Sequence, residues 1–97
     1  MGLNFEIRYH ELVMREDIPR LPSSWRIRIK MAIETRLTLF PELYGKALRR
    51  SLHGYYKLRV GDYRVIFKIE KQTTIKIIII GHRSKVYKEV EKKIGLA

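Results

Sequence analysis

The chain has 97 residues, 21 Lys+Arg against 10 Asp+Glu, one Trp and no Cys, with 45% of its residues hydrophobic. At this length folding hides roughly 60–65% of the surface an unfolded chain exposes, which supports one core and so one domain, residues 1–97. Lack of cysteine excludes disulfides, thiolate metal sites and a cysteine nucleophile, and neither a GxGxxG nor a GxxxxGKS loop is present to hold a nucleotide.

Glu6 and Arg8 interrupt the first apolar stretch, which excludes the apolar core of a signal peptide. The longest aliphatic run, Ile77 to Ile80, falls far short of the ~20 residues a membrane helix needs. A soluble, cytoplasmic protein is expected. Phe5, Ile7 and Tyr9 alternate with polar residues and predict a short strand. A weak helical stretch with Leu12, Val13 and Ile18 should end near Pro19 or Pro22. Ser23 and Ser24 offer an N-cap for a helix of about 16 residues, with Trp25, Ile29, Ile33, Leu37 and Phe40 on one face and Pro41 as its stop. Residues 25–33 also alternate as a strand would, but the capping serines and the Leu37/Phe40 continuation favour helix.

Residues 41–54 read as a loop rich in Arg, Lys and Gly. Beyond it the period becomes 2: residues 55–60 and 63–70 flank Gly61-Asp62, the signal of a two-residue hairpin, and residues 74–81 form a β-branched interior strand. Ser84 can cap a last helix with Val86, Val90 and Ile94 on one face and Gly95 as its stop. The order β-α-α-β-β-β-α predicts an α+β domain, a small antiparallel sheet with helices packed on one face.

The formal charge of +11 is unevenly placed: residues 1–43 carry seven basic and six acidic side chains, residues 44–97 fourteen and four. The second part therefore carries the attraction for a polyanion or an acidic partner. A two-residue turn pairs Val60 with Tyr63, Leu58 with Val65 and Tyr56 with Phe67 on the core side. It also sets Arg59 opposite Arg64, Lys57 opposite Ile66 and Tyr55 opposite Lys68 on the other. Like charges directly opposite destabilise a sheet by roughly 0.2–1 kcal/mol, so Lys57, Arg59 and Arg64 mark a face that grips phosphate, unless they simply splay into solvent. With a three-residue loop at residues 71–73, His82 would join that face. His10, His53 and His82 lack any HxxxH or HExxH spacing, so no metal site or cofactor is expected. His82 beside Arg83 can act as a proton shuttle or serve as a plain surface residue; Tyr87, one helical turn past Arg83, can stack on a base or pack.

The run Leu48-Arg49-Arg50-Ser51-Leu52-His53-Gly54-Tyr55-Tyr56-Lys57-Leu58-Arg59-Val60-Gly61-Asp62-Tyr63-Arg64-Val65-Ile66-Phe67, followed by Ile80-Gly81-His82-Arg83-Ser84-Lys85-Val86-Tyr87, resembles the RelE/ParE superfamily of type II toxins, and more the RelE side. The resemblance implies a RelE-like fold and a ribosome-dependent, metal-independent endoribonuclease, an mRNA interferase that cuts messenger RNA in the ribosomal A site. In that family the ribose 2′-OH attacks the adjacent phosphate. A cognate RelB-like antitoxin with an acidic segment holds such toxins inactive. Position by position, the family's strand cations fall on Lys57 and Arg59, its further arginines on Arg64 and Arg83, and its C-terminal tyrosine on Tyr87. The best-known members carry a further lysine where this chain has Tyr55, which leaves the general base open between Lys57 and His82. Lys46, Arg49, Arg50, Tyr55 and Lys68 are the remaining RNA-binding candidates. Two other readings stand beside this one: a ParE-like topoisomerase (gyrase) inhibitor that binds without chemistry, and a non-catalytic basic module that binds nucleic acid.

Overall fold

The computed structural model describes residues 4–95, and its elements build an α+β domain around a five-stranded sheet of order β1-β5-β4-β3-β2. Strand β1 (Glu6–Tyr9) turns Phe5, Ile7 and Tyr9 towards the core and leaves Glu6 and Arg8 in solvent, as the alternation predicts. A π-helical turn (Val13–Asp17) leads into α1 (Ile18–Arg20), and α2 (Ser23–Ala32) runs on through a second π-helical turn (Ile33–Leu37). Ile29, Ile33 and Leu37 are buried. Phe40, expected on the same stripe, is 54% exposed because the chain turns after Leu37 and Phe40 already stands before α3 (Pro41–Tyr44). Ser23 does not cap α2: Pro22 holds the cap position, where its fixed φ suits the entry.

The segment read as a loop contains α3, a short strand β2 (Lys46–Ala47) and a 3₁₀ turn (Arg50–Leu52). These pieces are too short to show a period. Strands β3 (Tyr56–Val60), β4 (Tyr63–Glu70) and β5 (Thr74–His82) follow, then α4 (Val86–Lys93). Ser84 does not cap α4, whose cap position is Lys85, while Gly95 ends it with φ +79°.

Two details of the expected architecture differ. The sheet is mixed, because β1 pairs parallel with β5, Glu6 to Thr74 through Tyr9 to Ile77. Helices also cover both faces. The α2 side buries Ile29, Ile33 and Leu37 against Leu58, Val60, Val65, Phe67, Ile75, Ile77 and Ile80. Helix α4 buries Val86 and Val90 on the other side against Leu52, Ile66, Ile78 and Ile79. A β-bulge makes this division possible: Phe67 pairs with Ile77 and Ile66 with Ile79, so Ile78 is an extra residue. Ile78 and Ile79 therefore both join the α4 cluster, while Ile77 and Ile80 join the other.

Because β1 stops at Tyr9, no strand among the described residues lies beside this edge of β5 beyond Ile77. Two side chains take its place. The Asp17 carboxylate accepts the Ile80 N–H at 3.0 Å, and the Lys93 ammonium donates to the Ile78 carbonyl at 2.9 Å and lies 3.8 Å from Asp17. The pair fastens α4 to the N-terminal helices across the sheet edge, with side chains only 11% and 14% exposed. Burial pushes the Asp17 pKa up, more than the Ile80 N–H and Lys93 pull it down. The folded protein thus holds the Asp17 proton more tightly than the unfolded chain does, and this residue's contribution to stability falls as pH rises from the ordinary carboxylate range through the raised value. Asp17→Asn keeps an acceptor for Ile80 and should lose that pH dependence, whereas Asp17→Ala should cost about 1–3 kcal/mol by orphaning the Ile80 N–H and removing the carboxylate beside Lys93. Urea titrations across the acid range check both.

The β4–β5 turn closes with the Thr73 N–H on the Glu70 carbonyl at 3.1 Å. Its central residues, Lys71 and Gln72, have φ of 54° and 57°, a left-handed conformation disfavoured for side chains with a Cβ. Replacing them with Asn and Gly should raise the unfolding free energy by about 1 kcal/mol or more, read as a higher urea midpoint with unchanged slope.

Candidate active site

The hairpin adopts the register expected of a Gly61-Asp62 turn, pairing Val60 with Tyr63, Arg59 with Arg64, Leu58 with Val65, Lys57 with Ile66 and Tyr56 with Phe67. β2 adds Lys46 directly opposite Lys57. Lys46, Lys57, Arg59 and Arg64 thus share the sheet face on which α4 packs. Ile66, opposite Lys57, lies fully buried under that helix, so the cations border an apolar patch instead of standing on a bare platform. Val86 and Val90 anchor α4, and Tyr87, one residue on from Val86, faces the β3 cations. The Lys57 ammonium lies 5.6 Å from the centroid of its ring, a cation–π arrangement. Arg59 is exposed and Lys57 half-buried.

Arg64 behaves differently from its neighbours. It is 8% exposed, and its Nη1 donates to the Gly61 carbonyl at 2.8 Å and the Tyr63 carbonyl at 2.9 Å. The guanidinium curls onto the hairpin turn, which relieves its repulsion with Arg59 and gives the tip a fixed positive charge. Glycine suits position 61, where φ is +59° and a Cβ would run into the Trp25 indole. Arg83 stands at the same tip: its N–H donates to the Asp62 carbonyl at 2.8 Å, and its Nε lies 3.9 Å from the Asp62 carboxylate. Both side chains are more than 60% exposed, so this is a screened surface pair that a phosphate can displace.

His82 lies on the other face. The loop does span residues 71–73, but the bulge at Ile78 advances the register by one, so His82 pairs with Tyr63 and its ring meets the Tyr63 ring edge-on at 5.7 Å. Its Nδ1 accepts the Ser84 N–H at 3.1 Å and lies 2.8 Å from the Ser84 hydroxyl, an arrangement that assigns the ring proton to Nε2. Of the outlying candidates, Arg49 and Arg50 are exposed on the 3₁₀ turn, which Ser51 ties to Glu91 of α4 at 3.0 Å. Tyr55 packs half-buried in the α4 cluster. Lys68 pairs with Glu70 at 3.2 Å, about 13 Å along β4 from Arg64, away from the tip. Asp62 and Ser84, which hold Arg83 and His82, carry no motif of their own; a turn carboxylate next to a cation-rich strand is the one signal for Asp62.

Arg64→Ala should lower stability by about 1–3 kcal/mol, since two carbonyls lose a buried charged donor, while Arg59→Ala should stay within about 0.5 kcal/mol of wild type. Thermal melts of the two variants test this.

A model of the ParE toxin of type II toxin–antitoxin systems, parDE, matches residues 15–87, from the first helices through Tyr87. This chain belongs to the RelE/ParE superfamily of type II toxins. The toxin is 32% identical to toxin RelG of Mycobacterium tuberculosis over 75 residues, 76% of this chain and 86% of the relative. It is 34% identical to toxin RelE of the same organism over 73 residues, 74% and 75% of the two chains. Among solved structures, a chain of the toxin–antitoxin complex RelBE2 from M. tuberculosis superposes with a TM-score of 0.76 at 30% identity, covering 82% of the toxin and 99% of that chain. A mutant of E. coli toxin RelE in the free state gives 0.70 at 22% identity, over 94% and 98%, a likeness of fold alone.

Proposed function

We propose that this toxin is a ribosome-dependent, metal-independent endoribonuclease that cuts messenger RNA. The observation that carries the reading is the half-buried Lys57 beside the α4 patch, its ammonium over Tyr87, with the exposed Arg59 on the same face and Arg83 at the adjoining tip. In the proposed step the message's 2′ oxygen attacks the neighbouring phosphorus. The O2′–P bond forms and the P–O5′ bond breaks, leaving a 2′,3′-cyclic phosphate and a 5′-hydroxyl. Lys57, in its amine form, takes the 2′-hydroxyl proton, and the leaving 5′ oxygen takes one from solvent. His82 is the poorer base, because its Nδ1 is engaged by the Ser84 N–H and its Nε2 carries a proton. Arg83 and Arg59 stabilise charge on the phosphorane oxygens, Arg64 adds a fixed positive potential beneath the tip, and Tyr87 orients the nucleotide.

These groups stand on an exposed sheet end. A cleft of about 440 Å³ lies on the opposite face, lined by Tyr9, Leu21, Ile29 and Ile33 among others. In-line geometry must therefore be imposed on the message from outside, which is the part assigned to the ribosomal A site. The M. tuberculosis relative was solved as a toxin–antitoxin complex. For this toxin we assign an antitoxin of the RelB kind whose acidic segment neutralises the excess charge of residues 44–97. The match to the ParE model favours a second reading, a topoisomerase-binding inhibitor without chemistry.

Inducible expression followed by message-end mapping decides between them. Cut messages with 5′-hydroxyl ends, reduced at least about 100-fold by Lys57→Ala and about 10–1,000-fold by Arg83→Ala, are expected. Intact messages together with inhibited supercoiling would establish the second reading.

A further inference from the structure

We propose that Trp25, Tyr63 and His82 form a base-stacking strip that receives single-stranded RNA on the side of the hairpin tip opposite Lys57. The inference rests on the ribonuclease reading for the phosphates and adds a separate surface for the bases.

The first turn of α2 lays the Trp25 indole on Gly61, where the missing Cβ leaves room for it. Its centroid is 5.0 Å from Tyr63, tilted by 50°, and Tyr63 is 5.7 Å from His82. Tyr56 and Phe67 stack 5.6 Å apart inside the same core, with Phe67 fully buried, whereas Trp25 and Tyr63 are half-exposed and His82 exposed. The row is thus an aromatic surface at the rim of the core. Cations stand at both of its ends. The Arg28 guanidinium lies 4.2 Å from the indole centroid, and Arg83 follows His82 directly.

The strip and the phosphate site meet at the tip. Tyr63 and His82 pair one step along from Arg64 and Gly81, and Arg83 follows His82 in the chain, so the ring row and the tip cations adjoin. Arg28, exposed on the indole face, occupies the position a nucleobase takes when it stacks there, or offers its own planar guanidinium to one. Basic grooves edged with aromatic rings hold single strands with little sequence preference, because every base has a π-face. An acidic protein segment would pair with Arg28 and Arg83 but would leave the three rings without a use.

Trp25 is the only tryptophan, so its emission reports on the strip directly. The toxin is titrated at low ionic strength with a mixed-sequence single-stranded oligoribonucleotide and, separately, with heparin, a polyanion without bases. RNA should quench Trp25 while heparin binds without quenching. His82→Ala should weaken RNA binding about tenfold and leave heparin binding unchanged, and Arg83→Ala should weaken both while keeping the quench at saturation. Equal quenching by RNA and heparin, no quenching by RNA, or an RNA-like response to polyglutamate would overturn the strip, the last in favour of a protein partner. If messages stay uncut while RNA still quenches Trp25, the ribonuclease reading fails and the strip stands. Cleavage without quenching removes the strip alone.

Discussion

The structure turns on one surplus residue in β5. Ile78 has no partner in β4, and by bulging it lets four consecutive isoleucines, Ile77 to Ile80, serve two cores instead of alternating strictly between them. The α4 side gains two adjacent aliphatic residues, enough to seat Val86 and Val90, and that seating carries Tyr87 to Lys57. The same bulge moves His82 across the sheet. A single insertion in a period-2 element therefore decides which ring faces the β3 cations and which joins Trp25.

The β3–β4 hairpin resolves its like-charge problem by giving its cations different environments. Arg59 stays in water, Lys57 leans on an aromatic face, and Arg64 is buried with its charge satisfied by turn carbonyls. A buried guanidinium without such partners would be costly, so the clamp on Gly61 and Tyr63 is what makes the cation pair tolerable next to the core. Asp62 offers Arg83 a weak, exposed partner. The tip thus holds one guanidinium bonded to backbone beneath and another in an exposed ion pair above. Asp17 and Lys93 do comparable work at the far edge, where side chains replace a missing strand and hold α4 over the sheet.

Much of this was legible in the residues alone. Gly61-Asp62 between two alternating runs determined the hairpin and its five paired rungs, because a two-residue turn leaves no freedom in register. The same parity put Leu58, Val60, Val65 and Phe67 inside and Lys57, Arg59 and Arg64 on one face, and the helical spacing of Ile29, Ile33 and Leu37 marked the buried side of the long helix. These are local rules, satisfied by neighbours in the chain. The strand formed by residues 46–47 is illegible in the sequence for the converse reason: two residues have no period of their own, and they are a strand only because β3 lies beside them.

What the tertiary structure alone decided involves residues distant in sequence. The uniform run Ile77–Ile80 gives no sign of where it bulges, since every position is equally apolar and only packing against α4 breaks the tie. The parallel pairing of β1 with β5 and the bond from Asp17 to Ile80 each join segments more than sixty positions apart, and the covering of both faces likewise depends on packing between separate elements. Chemistry-bearing residue types were thus fixed by composition and spacing, whereas their grouping into a Lys57–Tyr87 face and a Trp25–Tyr63–His82 face was settled by long-range packing, which acts through space and leaves no periodic mark on the chain.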